Sequence, residues 1–113
     1  MSRSASVYIK DIIDYMIKAE MFTAEHTLET LRKDEKTLLA VIRCIEVIGE
    51  ASKQVPITLT EKHPEIPWRD MAGMRDKLIH SYFGVNPEKV WLVIKEDIPR
   101  LKPLLLSLLQ ITP

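Results

Sequence analysis

Residues Asp34–Ser52 read DEKTLLAVIRCIEVIGEAS, and this stretch decides the fold. Its large apolar side chains recur every three or four residues, the spacing that places them on one face of an α-helix: Leu38, Leu39, Val41, Ile42, Ile45 and Ile48. Asp34 has a side chain suited to capping a helix N-terminus. The stretch therefore predicts a long amphipathic helix that begins at Asp34 and runs to about Ser52.

A second amphipathic helix is predicted upstream. Between Ser6 and about Phe22, apolar residues again recur at three- and four-residue intervals: Ile9, Ile12, Ile13, Met16 and Ile17. A brief helix is predicted from Thr23 to Arg32, which would join the two long helices. All these segments are helical in pattern, and glycine is scarce, which favours helices over sheet.

Downstream, three prolines between Gln54 and Pro67 rule out a continuous helix there. A helix is then predicted from Pro67 to Ser81, with Gly84 as its C-terminal cap. Asn86 is predicted to cap the next helix, which starts at Pro87 and should kink or break at two later prolines, Pro99 and Pro103. Met71, Met74 and Leu78 should face the core.

Length, composition and charge place limits on function. A chain of 113 residues with 46% apolar and 28% charged residues indicates one soluble globular domain over residues 1–113. Sixteen basic residues balance sixteen acidic ones, so any contact with nucleic acid must be local. The apolar run from Leu104 to Leu109 is too short to span a membrane. Cys44, the one cysteine, cannot form an internal disulfide and is expected to pack as a small apolar residue in a reducing cytoplasm.

The greatest concentration of reactive side chains lies in residues 74–82, MRDKLIHSY. Arg75 and His80 are five residues apart, so on an ideal helix they do not share a face, although long side chains can converge on one groove. Such a pair is commonly just a solvated helix surface. The three histidines are scattered and no cysteine pair or carboxylate cluster has ligand spacing, so no metal site and no cofactor are predicted.

Several short motifs occur in a fixed order around Arg75 and His80. The chain carries IPWR at 66–69, GMRD at 73–76, HSY at 80–82 and NPEKVW at 86–91, with AVIRCIEVIGEA upstream at 40–51. The combined string resembles the HepT-like branch of the HEPN ribonucleases, which are toxins of prokaryotic (type VII) toxin–antitoxin systems. That family has an arginine followed by a polar residue, then a histidine and a tyrosine, which correspond here to Arg75, Asp76, His80 and Tyr82.

The resemblance implies a fold and an activity. The fold would be an all-α, HEPN-type bundle of four to five helices that forms a homodimer, with two motif copies lining one cleft. The activity would be metal-independent endoribonuclease cleavage that uses the RNA 2′-hydroxyl as nucleophile. Arg75 would bind the phosphate, His80 would act as general acid or base, and Asp76 would orient one of them.

The resemblance also implies a regulator, a nucleotidyltransferase antitoxin that adenylates Tyr82. Arg43, Glu46 and Glu50 lie on one side of the 34–52 helix. They could simply pair with one another, or their side of the helix could border the Arg75/His80 groove, because the family places the two central helices side by side.

Two other functions remain open at this point. The chain could be a non-catalytic helical module that binds a nucleotide or a protein, or a structural subunit with an ordinary charged helix end. The intact set of arginine, histidine and tyrosine favours the ribonuclease, since a module without catalysis would not need all three residue types in this register.

Overall fold

The computed structural model describes residues 4–81 and 84–113, and at residues 77 and 79–81 it describes the backbone alone. Its elements, in chain order, are α1 (Ala5–Phe22), α2 (Leu28–Arg32), α3 (Glu35–Gln54), α4 (Ile57–Thr60), α5 (Trp68–Ala72), α6 (Met74–Leu78), β1 (Ile79–Ser81), β2 (Gly84–Val85), α7 (Pro87–Leu92), a π-helical segment (Val93–Asp97) and α8 (Ile98–Ile111). The predicted all-α class is confirmed, with one small hairpin added.

The core lies between the three longest helices. Helix α1 packs mainly on α3, and α8 packs on α1. Most of the apolar positions that define the amphipathic patterns are buried: Ile9, Ile12, Ile13 and Met16 in α1, Val41, Ile42, Ile45 and Ile48 in α3, and Ile98, Leu101, Leu105 and Leu108 in α8. Ile17 and Leu39, which the patterns also placed on the apolar faces, are exposed. In the part of the chain that is described, no helix is long and apolar enough to cross a membrane.

Two predicted N-caps are confirmed. The Asp34 carboxylate accepts hydrogen bonds from the Thr37 hydroxyl at 2.7 Å and from the Thr37 backbone N–H at 3.0 Å, and these bonds lower the pKa of Asp34. Asn86 Oδ1 accepts from the N–H groups of Glu88 and Lys89. The bonds from the N–H groups of Thr37, Glu88 and Lys89 satisfy backbone donors that the first helical turn leaves unpaired. Both helices therefore begin where the sequence predicts.

The brief helix predicted from Thr23 is shorter than expected. Helix α2 starts at Leu28, and its N-cap is Thr27, whose hydroxyl accepts from the Thr30 N–H. The Thr23 hydroxyl instead donates to the carbonyl oxygen of Ala19 at the end of α1. Thr23 thus ends one helix rather than starting the next.

The helix predicted from Pro67 to Ser81 was wrong in its extent. It is interrupted at Gly73, which separates α5 from α6, and it ends at Leu78. Over residues 79–81 and 84–85 the backbone is extended, and the β-branched Ile79 pairs with Val85 in an antiparallel pair of strands. His80 therefore lies on a strand, not in a last helical turn. Gly84 belongs to the partner strand β2 and has no positive φ, so the predicted helix cap is also wrong.

Of the predicted kink or break at the C-terminal prolines, the break does not occur. The chain from Pro87 to Ile111 is helical throughout, with Pro103 inside α8 and Pro99 in its first turn. The wider π-helical segment ends at Asp97, two residues before Pro99. Because proline lacks an N–H and its ring crowds the carbonyl four residues back, a wider turn at this point accommodates it.

Helix α3 and the α5–α6 segment approach each other closely at one glycine. A Cβ atom at Gly49 would lie 3.1 Å from the carbonyl oxygen of Ala72 and 3.4 Å from that of Met71. The backbone of α5 therefore occupies the space of the missing side chain. Gly49 sets how close α5 can come to α3.

We predict that Gly49→Val destabilises the protein by about 1–3 kcal/mol, because the branched side chain must push back a backbone that cannot rotate away. Urea unfolding monitored by circular dichroism measures this. Gly73→Ala is the matched control, since its Cβ would meet only the Arg69 carbonyl oxygen at 3.5 Å and its φ of −94° suits alanine. It should keep or slightly raise stability. Equal unfolding midpoints for the two variants would contradict the role given to Gly49.

Candidate active site

Arg75 is the second residue of α6 and reaches across to α3. Its Nε–H donates to Glu46 Oε2 at 3.1 Å. The arginine side chain is 48% exposed and the glutamate side chain 31% exposed, so the pair lies at the edge of the bundle in contact with solvent. One edge of the guanidinium is thus held by α3, while the side chain stays open to a ligand.

Asp76 lies next to this pair but is held less firmly. Its Oδ1 atom is 3.8 Å from Arg75 Nη1, beyond hydrogen-bond distance, and its side chain is 79% exposed. An ion pair of this kind in water contributes little to stability. Asp76 therefore lies near Arg75 without a hydrogen bond to it, and its predicted orienting role stays a prediction.

The backbone at His80 is fixed by the hairpin. Ile79 pairs with Val85 and Ser81 with Gly84, and the Asn86 N–H donates to the Leu78 carbonyl oxygen at 3.1 Å. The side chain of His80 and the whole of Tyr82 lie outside the described residues. Their predicted roles therefore stay predictions.

Buried residues hold α5 and α6 against the core. Met71, Met74 and Leu78 are at most 5% exposed, which confirms that they face inward. Because side chains three and four apart share a helix face, this anchoring turns Arg75 and Asp76 outward. The apolar spacing of this short segment is therefore what presents the arginine at the surface.

The surface of the described residues has two open grooves of similar volume, and neither is lined by Arg75 or Glu46. One, of about 250 Å³, is mainly apolar and lies between the end of α6 and the α7–π-helical segment, lined by Leu78, Lys89, Leu92, Val93 and Asp97. The other, of about 260 Å³, lies between α1 and α3 and is lined by Tyr8, Asp11, Arg43, Val47, Glu50, Ala51 and Gln54. The first is the closer in sequence to the motif, since Leu78 ends α6.

The other histidines and the cysteine lie apart from the site. His26 contacts Thr30 and Asp34, and His63 pairs with Glu65. Cys44 is buried, as expected, and burial raises the pKa of its thiol. Among the described residues, no three histidine, cysteine or carboxylate side chains are grouped so as to hold a metal ion.

The contact between Glu46 and Arg75 was only partly predicted from the sequence. The sequence left open whether Arg43, Glu46 and Glu50 pair with one another or border the motif. Glu46 contacts Arg75, and Glu50 pairs with Lys53 instead. The three- and four-residue spacing was the only signal, and it indicated a shared helix side without saying what lies opposite.

Comparison with known proteins identifies the family. A family model described as ribonuclease HepT-like matches residues 12–108, which span α3, α6 and the hairpin. The chain belongs to the HepT-like ribonuclease family. No solved structure matched the chain.

Several HepT-like relatives match most of the chain. A protein of Thermococcus cleftensis named "Probable ribonuclease HepT" is 53% identical over 102 residues, 90% of this chain and 93% of the relative. "Putative RNase MJ0125" of Methanocaldococcus jannaschii is 45% identical over 88% of this chain and 86% of its own length. "Putative RNase TTE0752" of Caldanaerobacter subterraneus is 45% identical over 74% of this chain and 75% of its own length.

Proposed function

We propose that this HepT-like protein is a metal-independent endoribonuclease and the toxin of a toxin–antitoxin system. The observation that carries the proposal is the solvent-accessible guanidinium of Arg75, held at the bundle edge five residues before His80. An arginine fixed in this way can bind a phosphodiester and the charge that develops on it. Membership of a ribonuclease family makes RNA the natural substrate class.

The proposed reaction needs no nucleophile from the protein. The RNA 2′-hydroxyl attacks the adjacent phosphorus atom, and the bond to the 5′-oxygen of the next nucleotide breaks. The products are a 2′,3′-cyclic phosphate and a 5′-hydroxyl. A base takes the proton of the 2′-hydroxyl, and an acid protonates the leaving 5′-oxygen. His80 serves in one of these roles because imidazole exchanges protons near neutral pH.

We predict that Arg75→Ala and His80→Ala each abolish RNA cleavage, because each removes one half of this machinery. Gel analysis of a 5′-labelled RNA, with and without EDTA, measures cleavage, and circular dichroism checks the fold. Arg69→Ala is the matched control, since Arg69 is an exposed arginine of the neighbouring helix α5. It should retain activity.

Activity that disappears with EDTA, or that survives His80→Ala undiminished, would refute this mechanism. If the protein binds RNA through Arg75 and never cleaves it, the non-catalytic binding module becomes the correct function.

A single arginine and histidine form a sparse active site, so we propose that two chains form a homodimer whose motifs line one cleft. Leu92, 48% exposed, lines the apolar groove beside α6. Exposed apolar groups in a groove of this kind favour contact with another protein surface. Two-fold pairing is the commonest form of homo-oligomer.

We predict that light scattering gives about twice the chain mass of 13.1 kDa at micromolar concentration. Leu92→Asp should shift the protein toward monomer and reduce cleavage in parallel, because a charge cannot be buried unpaired at an interface. Leu39→Asp, at an exposed leucine of α3, should change neither the oligomeric state nor the cleavage rate. A wild-type monomer that cleaves RNA would contradict the shared cleft.

The proposed antitoxin is a nucleotidyltransferase that modifies Tyr82 in the cytoplasm. The phenol oxygen attacks the α-phosphorus of ATP, an O–P bond forms, and pyrophosphate leaves. The attached adenylate carries negative charge two residues from His80, where it would compete with the RNA phosphate for Arg75 and repel the RNA backbone. This modification would silence the enzyme without unfolding it.

We predict that Tyr82→Phe keeps most of the ribonuclease activity, since the phenol has no part in proton transfer, but escapes neutralisation. Intact-mass spectrometry after incubation with the cognate antitoxin, ATP and Mg²⁺ should show added adenylate on the wild type and none on Tyr82→Phe. Tyr15→Phe, at a partly buried tyrosine of α1, is the control and should be modified normally. Adenylates that map to another residue would remove this role from Tyr82.

A further inference from the structure

We infer that Glu46, on helix α3, is the positioning residue for Arg75. The inference rests on the proposed function, since it concerns how the phosphate-binding guanidinium is oriented. It gives a role to a residue 29 positions upstream of the motif. It also moves the main orienting contact away from Asp76, the polar residue that directly follows the arginine.

The geometry distinguishes the two carboxylates. Glu46 accepts a hydrogen bond from Arg75 Nε at 3.1 Å, whereas the closest oxygen of Asp76 is 3.8 Å from Arg75 Nη1. Charge-assisted hydrogen bonds are about twice as strong as neutral ones and direct the group that donates them. The Glu46 side chain is also the less exposed of the two, so water competes less for it. Glu46 is the carboxylate that sets the direction of the guanidinium.

The element that carries Glu46 is a long helix packed into the core. Glu46 lies in the interior of the 20-residue helix α3, directly after Ile45, which is fully buried. One turn further along, Gly49 contacts the Ala72 backbone, three residues before Arg75. The donor and the acceptor of the bond are therefore held by packed backbone on both sides. A site built on such elements keeps its geometry better than a site on loops.

The position of the bond leaves the reactive end of the arginine available. Glu46 uses the Nε–H, so the terminal nitrogens can turn toward a phosphate, which guanidinium binds through a fork of N–H groups. The same carboxylate places a negative charge near the bound RNA. Removing Glu46 should therefore lower kcat, because Arg75 loses its orientation, without raising KM, because a charge that repels the RNA is gone.

The experiment is steady-state RNA cleavage by the full-length protein. Glu46→Ala should lower kcat about 10- to 100-fold, as misplacement of a binding group by about 1 Å does. It should leave KM equal or lower it about twofold, the effect of one screened charge at this range. Glu46→Gln should recover most of kcat because its amide oxygen still accepts the Nε–H bond.

Glu50→Ala is the matched control. It removes the same charge one turn along α3, from a residue that pairs with Lys53 and not with Arg75. It should change kcat by less than about twofold. Thermal melts of all three variants should lie within a few degrees of the wild type. A kcat for Glu46→Ala within twofold of wild type, or an equal loss in Glu50→Ala, would overturn the inference.

A second measurement does not depend on cleavage. In ¹⁵N NMR spectra, the Nε–H signal of Arg75, assigned by its absence in Arg75→Lys, should move or broaden in Glu46→Ala and stay in place in Asp76→Ala. The opposite pattern would assign the orienting role to Asp76. If the pairing is present but the wild type does not cleave RNA, the proposed function fails. If the wild type cleaves RNA but the Arg75 Nε–H signal does not change in Glu46→Ala, the role given to Glu46 is wrong and the proposed function still stands.

Discussion

The close approach of α5 to α3 is the constraint on which the rest of the structure depends. Gly49 has no side chain, and a Cβ atom at this position would lie only 3.1 Å from the Ala72 carbonyl oxygen. Three residues before Gly49 is Glu46, and three residues after Ala72 is Arg75, and these two are hydrogen-bonded. The two chain segments run in opposite directions, so a step back along α3 from Gly49 to Glu46 matches a step forward from Ala72 to Arg75. The step along α3 is about 4.5 Å long. The backbone contact therefore brings the side-chain contact into register.

Local signals in the sequence were sufficient for most of the fold. Apolar spacing predicted α1 and α3, and the capping residues Asp34 and Asn86 predicted where two helices begin, because both effects act within about one helical turn. The region after Gly73 was predicted incorrectly for a physical reason. The strand at Ile79 exists through its pairing with Val85, six residues away, and helical periodicity in residues 67–78 does not reveal that pairing. Short β-hairpins depend on such partners more than on propensity.

The site could be predicted only as far as the motif itself extends. Arg75 and Asp76 are adjacent, so their proximity follows from the chain, and the apolar residues around them correctly predicted that both face outward. The Glu46–Arg75 bond could not be predicted, because it depends on a tertiary approach that a glycine and a backbone carbonyl determine. A single sequence gives the side of α3 on which Glu46 lies but not the element that lies opposite.

The charges of the chain and of the site are consistent with one mode of RNA binding. Sixteen positive charges balance sixteen negative ones, and Glu46 and Asp76 partly compensate the charge of Arg75. Under the proposed function, a long RNA would be held by few phosphate contacts rather than by a broad positive field. Weak binding of the ground state is no disadvantage for catalysis, because only interactions that strengthen in the transition state accelerate the reaction. Under the same proposal, a guanidinium already oriented by a neighbouring helix would need no rearrangement when charge develops on the phosphate. Glu46 would then weaken RNA binding and still raise the rate of cleavage.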